Sequence, residues 1–318
     1  MPDRPPLRAP VSTDPGRRGP VPRVSVLVPA YNAADTIGES LESAFSQRPA
    51  PEEVIVSDDG SEDELSAALA PFASRLRVIR GPNAGLAVAR NRAAEVATGE
   101  LLCLLDADDV WLPGRVAALK DAAARRPDLS ILTTDAVESR DGVLTAGTYY
   151  GIRTFATEEQ EVAILRSNFI FGAGAVRAGA FWSVGGYRPG TRYAEDWDLW
   201  VRLLLSGHRA GLVDEPLYEY RRRADSLTGR TVDLGLGVLE LLTRAAALDL
   251  TPAQRQQLRL TRQEWRRTVA SAAYRNGDPR GRGQSLLAAG GAGLRPGDRL
   301  RLAAKALLPR RRQRVSAR

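Results

Sequence analysis

The sequence predicts an α/β protein: a mixed, mainly parallel sheet flanked by helices, with a helical appendage at the C-terminal end. Three observations carry this. Four short strand-like segments, the mainly apolar 24–29, 54–56 and 101–105 and the mixed 76–80, alternate with segments of helical spacing, an order that calls for parallel strands joined by right-handed crossovers. Asp141-Gly142 then reads as a hairpin turn, so the architecture changes from parallel to mixed. From Val232 onward, helical segments follow one another between Gly and Pro breaks.

In chain order, the first strand (VSVLVP) breaks into Ala30-Tyr31-Asn32. Thr36 and Glu39 have the spacing of a capping box, and Ile37, Leu41, Ala44 and Phe45 follow at helical spacing. The second strand ends in Ser57-Asp58-Asp59-Gly60-Ser61, and Ser61 with Glu64 repeats the capping signal before a helix carrying Leu65, Ala68, Leu69 and Phe72. The third leads through Gly81-Pro82-Asn83-Ala84-Gly85 into a helix over about 86–97, closed by Gly99. The fourth, LLCLL, suits a strand buried on both faces, a pattern that a buried helix segment shares.

A helix begins at Pro113 and carries Val116, Leu119 and Ala123. After it come a strand over 129–134, the Asp141-Gly142 turn, and a glycine-rich strand over 168–176 where backbone can approach a ligand closely. Gly185-Gly186-Tyr187 makes a turn. Glu195-Asp196-Trp197 opens a helix with Trp197, Trp200, Val201 and Leu204 on one face, and residues 212–220 supply one or two short strands. Helices are expected over 232–248, 252–274, 280–289 and 300–308. The organisation is a disordered tail over 1–22, an α/β domain over 23–226, and a helical region with a basic tail over 227–318.

Composition narrows the function classes. Cys103, the only cysteine among 318 residues, lies inside an apolar run, so no disulfide framework or thiolate metal site exists, which fits a reducing compartment. His208, the only histidine, is expected on the surface in the turn after a helix. The net charge of +7 is arginine-rich and compatible with nucleotides, nucleic acid or an anionic membrane. No aromatic-interleaved basic stripe accompanies the arginines, which argues against nucleic acid. No apolar stretch approaches the ~20 residues of a membrane span, and residues 1–22 lack the apolar core of a signal peptide. The expected location is cytoplasmic. From Arg295, nine basic residues face one acid, with Leu300, Leu302, Ala303, Ala306 and Leu307 forming part of a face. That end suits a peripheral contact with the inner membrane face, at about 1 kcal/mol per basic residue, or is a frayed, solvated tail.

The chemistry gathers at strand ends. Asp106, Asp108 and Asp109 follow the LLCLL run, and carboxylates so crowded raise one another's pKa unless a cation neutralises them. Hard oxygens suit Mg²⁺ or Mn²⁺, and that sheet edge is where open α/β sheets take ligands. The alternative is a solvated acidic turn capping the next helix. Glu195 and Asp196 are likewise either functional carboxylates or charges complementing a helix dipole.

VSVLVPAYN, VIVSDDGS, NAGLAVARN, LLDADD, GGYRPG…AEDWDLW and YRRRADS occur in the order of the corresponding motifs in the family 2 glycosyltransferases, and residues 23–226 resemble that family. The resemblance implies the GT-A (Rossmann-like) fold and transfer of a sugar from a UDP, dTDP or GDP sugar to a hydroxyl of a glycan or lipid-linked acceptor. It also implies roles by residue. Pro29, Ala30, Tyr31 and Asn32 meet the nucleoside, and Asp59, with Asp58 beside it, accepts the base's N–H. Asn83, Gly85 and Arg90 approach the donor. Asp106-Ala107-Asp108 form the D-x-D, with Asp108 holding the metal on the diphosphate and Asp106 beside it nearer the ribose. Glu195 and Asp196 form the E-D pair, with Asp196 as base.

One clear base and no second carboxylate placed as a nucleophile predict inversion. Arg223 stands where relatives often carry histidine; an arginine cannot ligate the ion but pairs with phosphate oxygens. The competing reading is a catalytically inactive nucleotide-sugar-binding scaffold at the membrane surface. Retention of both the D-x-D and the E-D pair argues against it. A nucleotidyltransferase would carry a Gly-rich phosphate loop with a lysine after the first strand, where this chain has AYNAAD.

Overall fold

The structure, a computed structural model, describes residues 19–222, 231–276, 278, 297 and 300. Its first strand, β1 (Val24–Ala30), is buried along its whole length, as a continuous apolar run between two helix layers requires. β2 (Glu53–Asp58), β3 (Arg77–Arg80) and β4 (Leu101–Leu104) join it in the order β3-β2-β1-β4, all parallel. Helices α1 (Ile37–Phe45), α2 (Leu65–Leu69) and α3 (Leu86–Val96) make the crossovers. The strand order reverses between β1 and β4, and the crevice beyond the C-terminal ends of two such strands is the ligand position of an open sheet.

The chain then builds β5 (Val110–Trp111), α4 (Arg115–Arg125), β6 (Ile131–Arg140), β7 (Val143–Thr148), α5 (Gln160–Arg166), β8 (Ala175–Arg177), α6 (Ala178–Ser183), α7 (Glu195–Leu205) and β9 (Ala210–Arg222). Beyond β4 the sheet continues β8-β6-β9-β5, with β7 paired to β6. β8 runs antiparallel to β4 and β6, β6 and β9 are parallel, and β5 opposes β9. The sheet is therefore mixed and mainly parallel. Asp141 and Gly142 at the β6–β7 hairpin both have positive φ, 51° and 78°, the twist that two-residue hairpin turns favour. The core packs Val26, Val28, Val54, Val56, Leu101 and Cys103 of the strands with Ile37, Leu41 and Ala44 of α1 and Val116, Leu119 and Ala123 of α4. Each fully buried Val, Leu or Ile contributes roughly 1.5–3 kcal/mol.

Several expectations are corrected. Neither capping box forms: Thr36 and Glu64 precede α1 and α2 without a side-chain cap bond. Glu39 turns instead to Arg221, whose Nη1 and Nη2 donate to its two oxygens at 2.6 and 2.7 Å. Ser61 Oγ accepts the Asn32 N–H at 3.0 Å. Gly99 does not close α3, which ends at the extended Ala97. Glycine is required at position 99 by packing: its N–H donates to Ser25 Oγ at 2.8 Å, and a Cβ would lie 2.7 Å from Ser25 N. The helix expected from Pro113 starts at Arg115. Of the expected strand 168–176 only Ala175 and Val176 are strand, at the start of β8, because a turn at Gly172 and Ala173 breaks it. The short strands expected over 212–220 are one strand of 13 residues, β9. His208 is half-buried between Ser130 Oγ, 2.9 Å from Nδ1, and Ser183 Oγ, 3.1 Å from Nε2. Burial lowers its pKa.

The described residues fall into two compact units, the sheet with its helices and a helical unit. In the second, α8 (Thr231–Ala245) packs Val232, Leu236 and Leu239 against Trp265, Val269, Ala272 and Ala273 of α9 (Pro252–Asn276). The expected helices over 280–289 and, but for Leu300, 300–308, and nearly all of the basic segment from Arg295, lie outside the described residues. No helix among the described residues is long and apolar enough to cross a membrane.

Candidate active site

The ends of β1 and β2 carry the residues expected at a nucleoside. Pro29 and Ala30 are buried in the last positions of β1, and the Tyr31 ring beyond them is 49% exposed. Asn32 takes a left-handed backbone, φ 49°, where its side-chain oxygen accepts the Glu62 N–H at 2.9 Å. The two loops are thereby tied. Asp58 accepts the Ser61 N–H at 2.8 Å and pairs with Arg80. Asp59 is buried. Its oxygens accept the N–H groups of Ala84 and Gly85, at 3.0 and 2.7 Å, and Arg92 Nη1 at 2.9 Å. The aspartate of the second strand therefore fixes the loop of the third, the loop that exposes Asn83 and Gly85. Gly85 has φ 90°, a conformation that disfavours any side chain.

The acids after β4 divide by direction. Asp109 is buried; it accepts the Tyr218 hydroxyl at 2.7 Å and the Arg221 N–H at 2.8 Å. Its carboxyl is raised well above the ordinary range by burial and then by Asp106 and Asp108. Asp106 and Asp108 stand half-buried on either side of the buried Ala107. Cys103, beneath them in β4, is buried and its thiol is pushed up to about 12, so it takes no part in thiolate chemistry.

Arg90 joins this turn to the E-D pair. The sequence placed it where a loop approaches the donor; the structure sets it on α3, 3% exposed, within 5.3 Å of the centre of the Tyr187 ring. Its Nη2 donates to Asp106 Oδ1 at 2.7 Å and its Nη1 to Glu195 Oε1 at 2.9 Å. Burial works against the guanidinium charge, but Asp106, Tyr187 and Glu195 outweigh it and hold Arg90 protonated. Glu195 and Asp196 open α7, where the helix dipole favours negative charge. Burial nonetheless lifts Glu195 to about 7, against the pull of Arg90. Asp196 is raised too, by burial first, although the Trp197 N–H at 2.7 Å, Arg90 and the Asn168 amide favour its charged form.

The structure thus links Arg90, Asp106 and Glu195 directly, with Asp196 adjacent, and links Asn32, Asp58, Asp59 and Gly85 through the loops of the first three strands. Arg223 lies outside the described residues. Sequence reasoning missed Tyr187, fixed by two backbone bonds to Asn91 at 2.7 and 2.8 Å; Asn168, which donates to Asp196 Oδ2 at 2.9 Å; and Tyr218. Asn91 closes the NAGLAVARN motif, which was the available signal for its partner.

The donor set suits a divalent cation. Asp106 and Asp108 offer hard oxygens, and their repulsion is felt at Asp109. Among the described residues no group of three or more His, Cys, Asp or Glu could hold a metal ion; Mg²⁺ is usually bound through one or two carboxylates together with substrate oxygens.

A sheet whose order reverses beside an acidic turn, with a buried arginine joining that turn to a second carboxylate pair, has the parts of a group-transfer enzyme for nucleotide-linked substrates. Residues 25–185 match the model of Glycosyl transferase family 2, and the chain belongs to that family. It is 32% identical over 234 residues, 66% of this chain and 66% of the other, to the succinoglycan biosynthesis protein ExoU of Rhizobium meliloti. The fold is similar to S. aureus TarS 1-349 in complex with UDP-GlcNAc: TM-score 0.64, 20% identity, 84% of this chain and 80% of that one. It is also similar to the mannosyltransferase PcManGT of Pyrobaculum calidifontis in complex with GDP-Man and Mn²⁺: TM-score 0.57, 22% identity, 94% and 88% covered. The fold is GT-A and the protein is a glycosyltransferase.

Proposed function

We propose that this glycosyltransferase moves a sugar from a UDP, dTDP or GDP sugar to a hydroxyl of a glycan or lipid-linked acceptor in one inverting displacement, with Asp196 as the base. The observation that carries the reading is the Arg90 bridge between Asp106 and Glu195, which makes the D-x-D turn and the E-D pair one cluster. Residues 23–226 form the catalytic domain. The basic end of the chain, outside the described residues, would serve as a contact for an anionic inner membrane face.

The donor's nucleoside lies along Pro29, Ala30, Tyr31 and Asn32. Asp59, which accepts N–H groups from Ala84, Gly85 and Arg92, would take the base's N–H as well. Asn83 and Gly85 line the donor from the loop that Asp59 holds. Asp106 and Asp108 would hold Mg²⁺ or Mn²⁺, which supplies Lewis-acid stabilisation of the leaving diphosphate. Arg223 pairs with phosphate oxygens.

Asp196 takes the acceptor hydroxyl's proton as that oxygen bonds to the anomeric carbon and the bond to the nucleoside diphosphate breaks. Attack on the face opposite the leaving group inverts the centre. Burial raises Asp196 towards the working pH, which favours proton uptake, and such a base contributes a factor on the order of 10²–10⁴. Glu195 orients the Arg90 guanidinium through Oε1. The similarity to a succinoglycan biosynthesis protein supports a glycan acceptor.

Calorimetry with UDP, dTDP and GDP sugars, with and without Mn²⁺, tests the reading. We expect metal-dependent binding of one nucleotide class, lost in Asp108→Ala and kept without turnover in Asp196→Asn. No binding of any nucleotide sugar to the wild-type chain would refute it.

A further inference from the structure

The segment facing the E-D pair is a loop stapled by side chains. The Tyr150 hydroxyl donates to the Phe169 carbonyl at 3.0 Å and accepts the Phe171 N–H at 2.9 Å. The Tyr150 N–H is itself held by Asp135 Oδ1 of β6 at 2.8 Å. From α4, the buried Arg115 donates through Nη2 to the Ala173 carbonyl at 2.6 Å, and Gly174 N–H closes the turn on Phe171 O at 3.1 Å. Three hydrogen-bonding groups of a six-residue stretch are thus fixed by side chains from α4 and from the turn after β7.

Two features of this loop meet the same atom of Asp196. Asn168 Nδ2 donates to Oδ2 at 2.9 Å, and Gly172 passes so close that a Cβ would lie 2.7 Å from that oxygen. The reverse orientation of the amide would set its oxygen against a carboxylate oxygen, so the hydrogen-bond network selects the donor orientation. Asn168 Oδ1 is buried and has no partner among the described residues. An unsatisfied buried acceptor costs free energy that an apolar side chain of similar shape would avoid, so the amide's value here lies in the bond made by Nδ2.

We propose that Asn168 is the positioning residue of Asp196: from the stapled loop, and across the space that Gly172 leaves open, its Nδ2–H holds Oδ2 in the one rotamer that meets the acceptor hydroxyl. The inference rests on reading Asp196 as the base. Glu195 on the same helix, Arg90 of α3, Asp106 after β4, Tyr149 after β7 and Tyr187 after α6 also bear on that carboxylate, and none of them is changed by substitution at Asn168.

Asn168→Ala and the isosteric Asn168→Asp are compared with wild type, as full chains, by three readouts. These are donor affinity by calorimetry with UDP-, dTDP- and GDP-glucose plus Mn²⁺, kcat for nucleoside diphosphate release by transfer of the glucosyl group to water between roughly pH 5 and 9, and the ¹³C carboxyl titration of Asp196, assigned by difference from Asp196→Asn. We expect donor affinity to hold within about twofold while kcat falls by roughly 10²-fold, the effect of a reacting group displaced by about 1 Å. The acid limb of kcat and the carboxyl titration should both move to higher pH, because the lost bond favours the charged form. Asn168→Asp should move them further, through like-charge repulsion. An unchanged Asp196 titration in both variants overturns the proposal, as does a loss of donor affinity with kcat intact. A wild-type chain that releases no nucleoside diphosphate overturns the reading of Asp196 as base, while the carboxyl titration still decides whether Asn168 holds it.

Discussion

Replacing Glu195 with Gln isolates the electrostatic tension in the cluster. Gln keeps the side chain's length and an oxygen for Arg90 Nη1, now 2.9 Å from Oε1, and removes the titration. In the wild type, burial lifts this carboxyl from 4.5 to about 7. A group whose folded pKa is raised stabilises the fold below its unfolded pKa and loses that contribution as pH rises through the folded value. At about 1.36 kcal/mol per pH unit, the interval from 4.5 to about 7 corresponds to about 3 kcal/mol, fully present below pH 4.5 and gone above 7. The stability difference between Glu195→Gln and wild type should therefore move by about 3 kcal/mol in the variant's favour between those limits. For a unit of about 200 residues that is roughly 6–12 °C in Tm. Urea denaturation followed by tryptophan fluorescence across this range measures it, since Trp111, Trp182, Trp197 and Trp200 all lie in the sheet unit. Glu195 and Asp196 titrate together, so the observed midpoint belongs to the pair. A stability difference that stays constant with pH would mean that Glu195 is ionised throughout, and the argument from burial would be wrong.

Gly99→Ala should lower stability by about 1–3 kcal/mol, because the added methyl meets backbone at Ser25 and Arg23 and cannot be relieved by a rotamer change; differential scanning calorimetry reads the loss, and nucleotide affinity should be unchanged. Tyr218→Phe removes the hydroxyl that Asp109 Oδ2 accepts at 2.7 Å and should cost about 1–3 kcal/mol, measured as a lowered urea midpoint at neutral pH. An unaltered midpoint would show that Asp109 does not depend on that donor.

Most of the parallel half of the sheet was legible because burial on both faces leaves a plain signature: VIV and LLCLL are uninterrupted apolar runs and VSVLVP is broken only by Ser25, each soon followed by polar residues. Asp141-Gly142 was legible because two successive positive φ angles restrict residue choice. What escaped were long-range polar choices. Glu39 has the spacing of a capping residue yet pairs with Arg221, 182 positions away, because a bidentate partner outcompetes a local amide. Glycine patterns misled for a related reason. Gly99 and Gly172 are needed for close approach to Ser25 and to Asp196, and neither closes a helix nor continues a strand. In the site, Asp59 was visible as a carboxylate at a strand end, but its hold on the amides of Ala84 and Gly85 depends on β3 lying beside β2, a register that the residues do not spell out.

Arg90 shows why such a site needs one buried cation of its own. A guanidinium 3% exposed is retained only where carboxylates compensate its desolvation, and here two do, from opposite sides. The compensation runs both ways, yet it is incomplete for the acids: Glu195, Asp196 and Asp109 all remain raised with Arg90 in place. Arg90 at one end and Asn168 at the other hold this excess of negative charge in place.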